Sequence, residues 1–265
     1  MYALSYHRAA SLADAARLLA ESGDARLLAG GQTLLPSLKL RLARYDALID
    51  LKGASGLDRI ERTGDRIVIG ALARHAEVAA SPLVEAGLPA LAALAGNIGD
   101  AQVRNRGTIG GSIANNDPAA DYPAALLGLD AIVVTSQRRI AAADFFVGLF
   151  ETALQPGEIV EAVEFPIPKA AAYSKFRHPA SRFALVGVFV AETGAGMRVA
   201  VTGAASHVFR FSAAEAALAA NFAPESLDGV ALSPDGLNSD IHADAAYRAH
   251  LVTVIAKRAV RRALG

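Results

Sequence analysis

The chain has 265 residues, 53% of them hydrophobic and 20% charged, and its 26 Lys and Arg balance 26 Asp and Glu. That length allows one large or two small domains with a sizeable core, and the neutral balance gives no electrostatic footprint for nucleic acid or an anionic membrane. No cysteine is present, which excludes disulfides and any thiolate-held iron–sulfur cluster in this chain, and the six His lack the spacing of a zinc site.

The N-terminal MYALSYHRAASLADAARLL has no long apolar stretch behind a basic start, so no signal peptide is read. The longest apolar run, Ala184 to Ala191, falls far short of the ~20 residues that span a bilayer. These features predict a soluble, cytoplasmic protein without a transmembrane segment.

Ser11 opens the first helix, with Asp14 at the capping-box position where Glu is usual. Leu12, Ala15, Ala16 and Leu19 recur at helical spacing and Gly23 supplies the stop. A strand at 25–29 runs into Gly30-Gly31-Gln32-Thr33, a second helix is predicted over 34–43, and a strand at 47–51 completes a βαβ-like layer. Further on, 67–70 reads as a strand and 83–95 as a helix. The stretch 96–121 is rich in Gly and Asn and reads as an ordered loop, long enough to suggest function. A helix at 123–129 and strands at 131–135 and 159–165 follow.

Pro166-Ile167-Pro168 is the predicted domain boundary, since two prolines break any element. Beyond it, 172–177, 183–192 and 197–203 read as three antiparallel strands, the last two joined by the turn Gly194–Gly196. Helices at 212–221 and 245–264 end the chain, the last with Lys257, Arg258, Arg261 and Arg262 near its C-terminus, where they complement the helix dipole.

Two segments carry candidate chemistry. In Ala29-Gly30-Gly31-Gln32-Thr33-Leu34 a strand feeds a Gly-rich turn and then a helix, which aims several main-chain N–H groups one way and suits a phosphate or pyrophosphate. The alternative is an ordinary tight turn; the segment matches neither the Rossmann fingerprint nor the P-loop. The second segment, Thr108-Ile109-Gly110-Gly111-Ser112, carries another Gly pair and two hydroxyls, followed by Asn115, Asn116, Asp117 and Asp121. Two such loops could close on both faces of one pyrophosphate. Asp121 reads either as a ligand for sugar hydroxyls or as an N-cap, and Asn115 and Asn116 as site or turn residues.

AGGQTLLPSLKLRLA with LIDL close behind, and RNRGTIGGSIANNDPAADYPA, resemble the paired flavin-binding signatures of the medium subunit of the carbon monoxide dehydrogenase and xanthine dehydrogenase family. The resemblance continues through GEIVEAVEFP, YSKFRHPASRFALVGV, AVTGA and DIHADAAYRAHLVTVIAKRA, in the family's order over essentially the whole chain. It implies an α+β chain. Residues 1–168 would form a two-subdomain FAD-binding fold of the vanillyl-alcohol-oxidase/PCMH type, divided at about residue 55. Residues 169–265 would form a C-terminal domain with a three-stranded antiparallel sheet and helices.

The resemblance further implies FAD held by main-chain amides of Gly30, Gly31, Gln32, Thr33 and Leu34, after Ala29, and by Thr108, Ile109, Gly110, Gly111 and Ser112. Asn115 lies in the second signature, Asp121 corresponds to the residue on FAD hydroxyls, and Val160 and Lys175 fall at positions near the flavin ring. Lys175 also reads as a surface lysine, and His178 as an exposed turn residue. The chain departs from the family at Asn115-Asn116, where many relatives carry His or Ala, and at Ile98, aromatic in some.

The implied assembly has a small [2Fe–2S] subunit and a large molybdenum-cofactor subunit, as a heterotrimer or its dimer. No catalytic side chain or metal ligand is expected here, since FAD passes electrons from the clusters to an external acceptor. The alternatives are a self-contained FAD oxidase or reductase of the same fold class, and a scaffold subunit with a decayed flavin site.

Overall fold

A computed structural model describes residues 1–265. Its first layer is β1 (Ser5–Arg8), α1 (Leu12–Glu21), β2 (Ala25–Leu28), α2 (Leu34–Lys39) and β3 (Ala47–Asp50), with a parallel sheet in the order β1-β3-β2. Ser11 Oγ caps α1 by accepting from Asp14 N–H at 3.1 Å, and the Asp14 carboxylate accepts from Ala10 N–H at 2.9 Å. Ala15, Ala25 and Ile49 close one small core, and Leu28, Leu38 and Leu48 another. β1 lacks a strong sequence pattern and is held in place by its register on β3.

The middle layer runs β4 (Ile60–Thr63), β5 (Arg66–Gly70), α3 (His75–Ala80), α4 (Pro82–Gly87), α5 (Pro89–Gly96), α6 (Ala101–Arg104), α7 (Ile109–Asn115), α8 (Tyr122–Gly128), β6 (Ile132–Thr135), β7 (Arg139–Ala141), α9 (Ala142–Phe145), β8 (Phe146–Gly148), β9 (Glu151–Thr152) and β10 (Val160–Pro166). Five strands form a sheet in the order β4-β5-β10-β6-β7. All seven residues of α8 are buried, so this helix forms the centre of the molecule.

Three expectations are corrected here. The helix predicted over 83–95 is two helices, because Pro89 has no N–H and excludes helical backbone at Leu88, whose φ is −140°. The predicted loop 96–121 contains α6 and α7. The glycines at 110 and 111 hide α7 by their low helix propensity, but Thr108 Oγ1 accepts from Gly111 N–H at 3.1 Å and fixes its start. Helix α2 also ends at Lys39 rather than residue 43.

The last layer is β11 (Ala170–Arg177), β12 (Ala184–Thr193), β13 (Gly196–Thr202), β14 (Phe209–Arg210), α10 (Ser212–Ala220) and α11 (Ala245–Leu264). Its sheet runs β11-β12-β13-β14, so a two-residue fourth strand joins the three expected. Both faces are buried, as alternation along β12 allows. Phe189 and Ala191 enter the main core with α8, whereas Val186, Val188 and Val190 pack with Leu251, Val252, Ile255 and Ala259 of α11. Prolines at 166 and 168 separate the chain segments, but the two halves share a core.

Candidate functional site

The two Gly-rich segments meet. A Cβ built on Gly30 would sit 2.3 Å from Arg106 O and 2.7 Å from Gly107 Cα, so the first segment lies directly against the chain leading into the second. On the far side, a Cβ on Gly111 would lie 3.7 Å from Ala29 Cβ. Gly31 has φ +74°, a backbone state that glycine adopts without a Cβ penalty.

The two segments differ in what they leave free. The five consecutive N–H groups from Gly30 to Leu34 donate to no protein acceptor, and Thr33, the N-cap of α2, makes no side-chain capping bond. In the second segment Ile109 N–H donates to Ala73 O at 3.1 Å, Gly110 N–H to Ala71 O at 2.9 Å, and Ser112 N–H to Thr108 O at 3.0 Å. With Gly111 N–H on Thr108 Oγ1, only Thr108 keeps an unbonded main-chain N–H in this segment, beside the Ser112 hydroxyl. The resemblance implies donors from both segments, and in the structure most amides of the second are already bonded within the protein. The first loop offers the donors, and the second, held by the bridge between Arg74 and Thr108, offers mainly a wall. Main-chain N–H groups without partners and without side chains over them suit an anion such as a pyrophosphate.

Asp121 occupies the N-cap position of α8 but does not cap it with its side chain, which is buried and already paired. It accepts from Tyr173 OH at 2.5 Å and from Lys175 Nζ at 2.9 Å, with Lys175's side chain fully enclosed. Burial pushes the Asp121 carboxyl up, against the opposing pull of Lys175 and Tyr173. Burial, then the Asp121 charge, also holds the Tyr173 hydroxyl well above its usual range. The surface reading of Lys175 is thereby corrected: it faces inward from β11 because Asp121 waits there. Val160 is 6% exposed, opposite Thr135 in the central sheet, within the main core. Asn115 is half-buried at the end of α7. Asn116, beside it, is fully buried and left-handed, and its Nδ2 donates to Gly148 O at 2.8 Å and Glu151 O at 2.7 Å.

Beneath the second segment lies His75. Its N–H donates to Gly107 O at 3.0 Å, its ring rests 5.3 Å from that of Tyr122, and its Nδ1 has no partner. Burial, helped by the charge of Arg104, lowers its imidazole to about 4. It is therefore a neutral support for the loop.

A cleft of ≈ 340 Å³ opens where the chain leaves α7 at Asp117–Ala119, lined also by His178, Phe183, Asp240, His242 and Arg248. His178 Nε2 and His242 Nδ1 lie 3.2 Å apart, and Arg248 donates to Asp240 Oδ2 at 2.6 Å while its Nη1 serves Leu185 O and Gly203 O. Sequence reading missed this cluster apart from placing His178 in a turn. Its members come from three distant segments, each within a family-like motif: DPAAD, YSKFRHPASRFALVGV and DIHADAAYRAH.

Residues 2–168 match the family model described as the FAD binding domain in molybdopterin dehydrogenase. The chain is 37% identical to the nicotine 6-hydroxylase medium subunit of Paenarthrobacter nicotinovorans, covering 97% of this chain and 96% of that one. It is 35% identical to the carbon monoxide dehydrogenase medium chain of Hydrogenophaga pseudoflava, over 97% and 96% of the two chains. The fold superposes on the reconstituted CO dehydrogenase from Oligotropha carboxidovorans with a TM-score of 0.92 at 34% identity, over 99% of this chain and 98% of that one.

A flavin-binding oxidoreductase subunit is the class that this fold and these relatives define. The chain belongs to the family of FAD-binding medium subunits of molybdenum hydroxylases, and FAD is its cofactor. The cradle of free amides at Gly30–Leu34 fits that cofactor's pyrophosphate. No helix is long and apolar enough to cross a membrane.

Proposed function

We propose that this chain is the electron-transfer subunit of a heteromeric molybdenum hydroxylase, placed between a small [2Fe–2S] subunit and an external acceptor. The observation that carries it is the run of five unbonded amides at Gly30–Leu34 set against the second Gly-rich segment. When bound, FAD supplies a carrier that accepts electrons singly and releases them in pairs, and the protein contributes binding and electrostatics.

In this reading the amides of Gly30 to Leu34, with Thr108 N–H and the Ser112 hydroxyl, hold the pyrophosphate. Ala29, Ile109, Gly110 and Gly111 shape the wall around it. The cleft at Asp117–Ala119 opens just past the end of α7, the seven-residue helix of about 10 Å whose first turn is the second segment, and gives room for the ring end of the cofactor beside Asn115. Asp121 and Lys175 act as positioning residues, since their pair ties the start of α8 to β11 and so fixes the wall of that cleft; Val160 supports the same region from the central sheet. No side chain of this chain is assigned an acid, base or nucleophile role.

The large molybdenum-cofactor subunit then carries substrate oxidation, and the assembly is a heterotrimer or its two-fold dimer. Reconstitution tests this. The lone chain, loaded with FAD and given an artificial acceptor, should hydroxylate no substrate, and activity should appear when both partners are added. Turnover by the lone chain at the rate of the assembly would instead establish a self-contained oxidase.

A further inference from the structure

One wall of the cleft at Asp117–Ala119 is the turn of residues 178–183 between β11 and β12, from which His178, Ser181 and Phe183 line it. Inside the turn His178 N–H donates to Phe183 O at 2.9 Å and Arg182 N–H to His178 O at 2.9 Å. Arg182 rests on the middle layer, where a Cβ on Gly99 would lie 2.7 Å from its own Cβ. A single hydrogen bond ties the turn to the rest of the chain, between His178 Nε2 and His242 Nδ1 at 3.2 Å.

The far side of this bond is fixed. Asp240 Oδ1 accepts from His242 N–H at 2.8 Å and from Ala243 N–H at 3.1 Å, and its Oδ2 accepts from Arg248 of α11 at 2.6 Å. Arg248 is itself buried and donates to Leu185 O and Gly203 O. His242 is thus an anchor on the C-terminal layer, and the turn is the part it holds.

A second contact decides where the protons lie. His178 Nδ1 accepts from Ser181 N–H at 3.1 Å, so it carries no proton. The neutral ring then has its proton on Nε2, which donates to His242 Nδ1, and His242 keeps its own proton on Nε2. Any further proton breaks this chain of bonds. On His178 it would set Nδ1–H against Ser181 N–H, and on His242 it would set Nδ1–H against His178 Nε2–H. A divalent cation shared by the two facing nitrogens is disfavoured for the same reason, because it would move the His178 proton to Nδ1.

We infer that His242 is a positioning residue that clasps the 178–183 turn over the cleft, through a hydrogen bond that exists only while both imidazoles are neutral. Histidine is the side chain that ordinarily changes charge between pH 5 and 8, so the clasp is closed at the upper end of that range and open at the lower. The charged groups around the pair are Asp117, Asp240 and Arg248 on the cleft walls, Arg177 and Arg182 beside His178, and Asp244 beside His242. Carboxylates and guanidinium groups keep their charge across that range, and main-chain N–H groups of His242 and Ala243 hold the Asp240 carboxyl lower still. The inference rests on the reading of this cleft as the place of the flavin ring, which an open turn would leave to solvent.

The test uses the full chain loaded with FAD at pH 8 and pH 5.5. Because the chain has no cysteine, Ala180→Cys gives one site for a nitroxide label, whose mobility reads the turn. Acrylamide quenching of flavin fluorescence on the unlabelled chain reads access to the ring, with an uncharged quencher that does not respond to the histidine charge. The ratio of mobile to ordered label should rise at least about fivefold from pH 8 to pH 5.5, the effect of losing one hydrogen bond, and quenching should rise with it. His242→Ala should be mobile at both pH values. His242→Asn keeps an acceptor near the place of Nδ1 without its titration, and should stay ordered at both. A label equally ordered at both pH values, or indifferent to His242→Ala, or a His242→Asn chain that still opens at pH 5.5, overturns the clasp. So does mobility gained at pH 8 on adding EDTA, which would show a bridging metal. A label that follows pH and both variants while quenching stays flat supports the clasp and fails the placing of the ring in this cleft.

Discussion

Asp121→Asn is the most informative perturbation of the fold around the site. It keeps the shape of the side chain but leaves the Lys175 ammonium, whose side chain is fully enclosed, without a counter-charge. Removing one partner of a buried ion pair costs about 3–5 kcal/mol. The amide oxygen still accepts from the Tyr173 hydroxyl, which retains on the order of 1 kcal/mol, so the net loss is about 2–4 kcal/mol. In a chain of this size that lowers Tm by roughly 5–15 °C. Adding Lys175→Met removes the orphaned charge and should recover most of the loss, which would expose a coupling between the two positions. Thermal and urea unfolding, followed by circular dichroism on the two single variants and the double, measures this. An Asp121→Asn chain that melts with the wild type, or a double variant as unstable as the sum of the singles, would refute the account of the pair.

The remaining predictions concern the loops and their support. Gly111→Val should keep the overall fold, with its disturbance confined to the α7 cap because the new Cβ would press on Thr108 Oγ1 at 2.9 Å, yet should abolish FAD retention as read by flavin absorbance after gel filtration. Gly30→Ala should lose FAD and also stability, by about 1–3 kcal/mol, since its Cβ would collide with Arg106 O and Gly107 Cα. His75, lowered from 6.5 to about 4 by burial, favours the neutral form in the folded state, so its contribution is full above pH 6.5 and is lost as pH falls toward 4. Linkage puts that loss at about 2 kcal/mol by pH 5, visible as a fall in the urea midpoint that His75→Gln should flatten. Asn116→Ala removes two hydrogen bonds to the β8–β9 turn and a favourable left-handed residue, and should cost about 2–3 kcal/mol by the same assay.

Much of this architecture was legible in the sequence where local chemistry decides it. The Ser11–Asp14 cap, the strand feeding Gly30-Gly31, the β12–β13 hairpin and the long α11 each follow from propensity and pattern over a few residues. What escaped depends on distant partners. Helix α7 starts with glycines and is fixed by Thr108 and the bridge to Arg74. The short strands β1, β4 and β14 exist through the neighbours they pair with. Lys175 was open to a surface reading because nothing within its own strand announces that Asp121, 54 residues earlier, faces it. The inequality of the two Gly-rich segments is likewise invisible in their similar text. Ala71 and Ala73 take the amides of Gly110 and Ile109, and no comparable acceptor reaches Gly30 to Leu34.

The central claim, that the free amides of the first segment hold the cofactor by its pyrophosphate, is tested most directly by comparing FAD with riboflavin. Calorimetric titration of the FAD-stripped chain should give FAD binding at least about a hundredfold tighter than riboflavin, which lacks the pyrophosphate, a difference of about 2.7 kcal/mol. ADP should compete with FAD. Equal affinities for FAD and riboflavin, with no competition by ADP, would contradict the account.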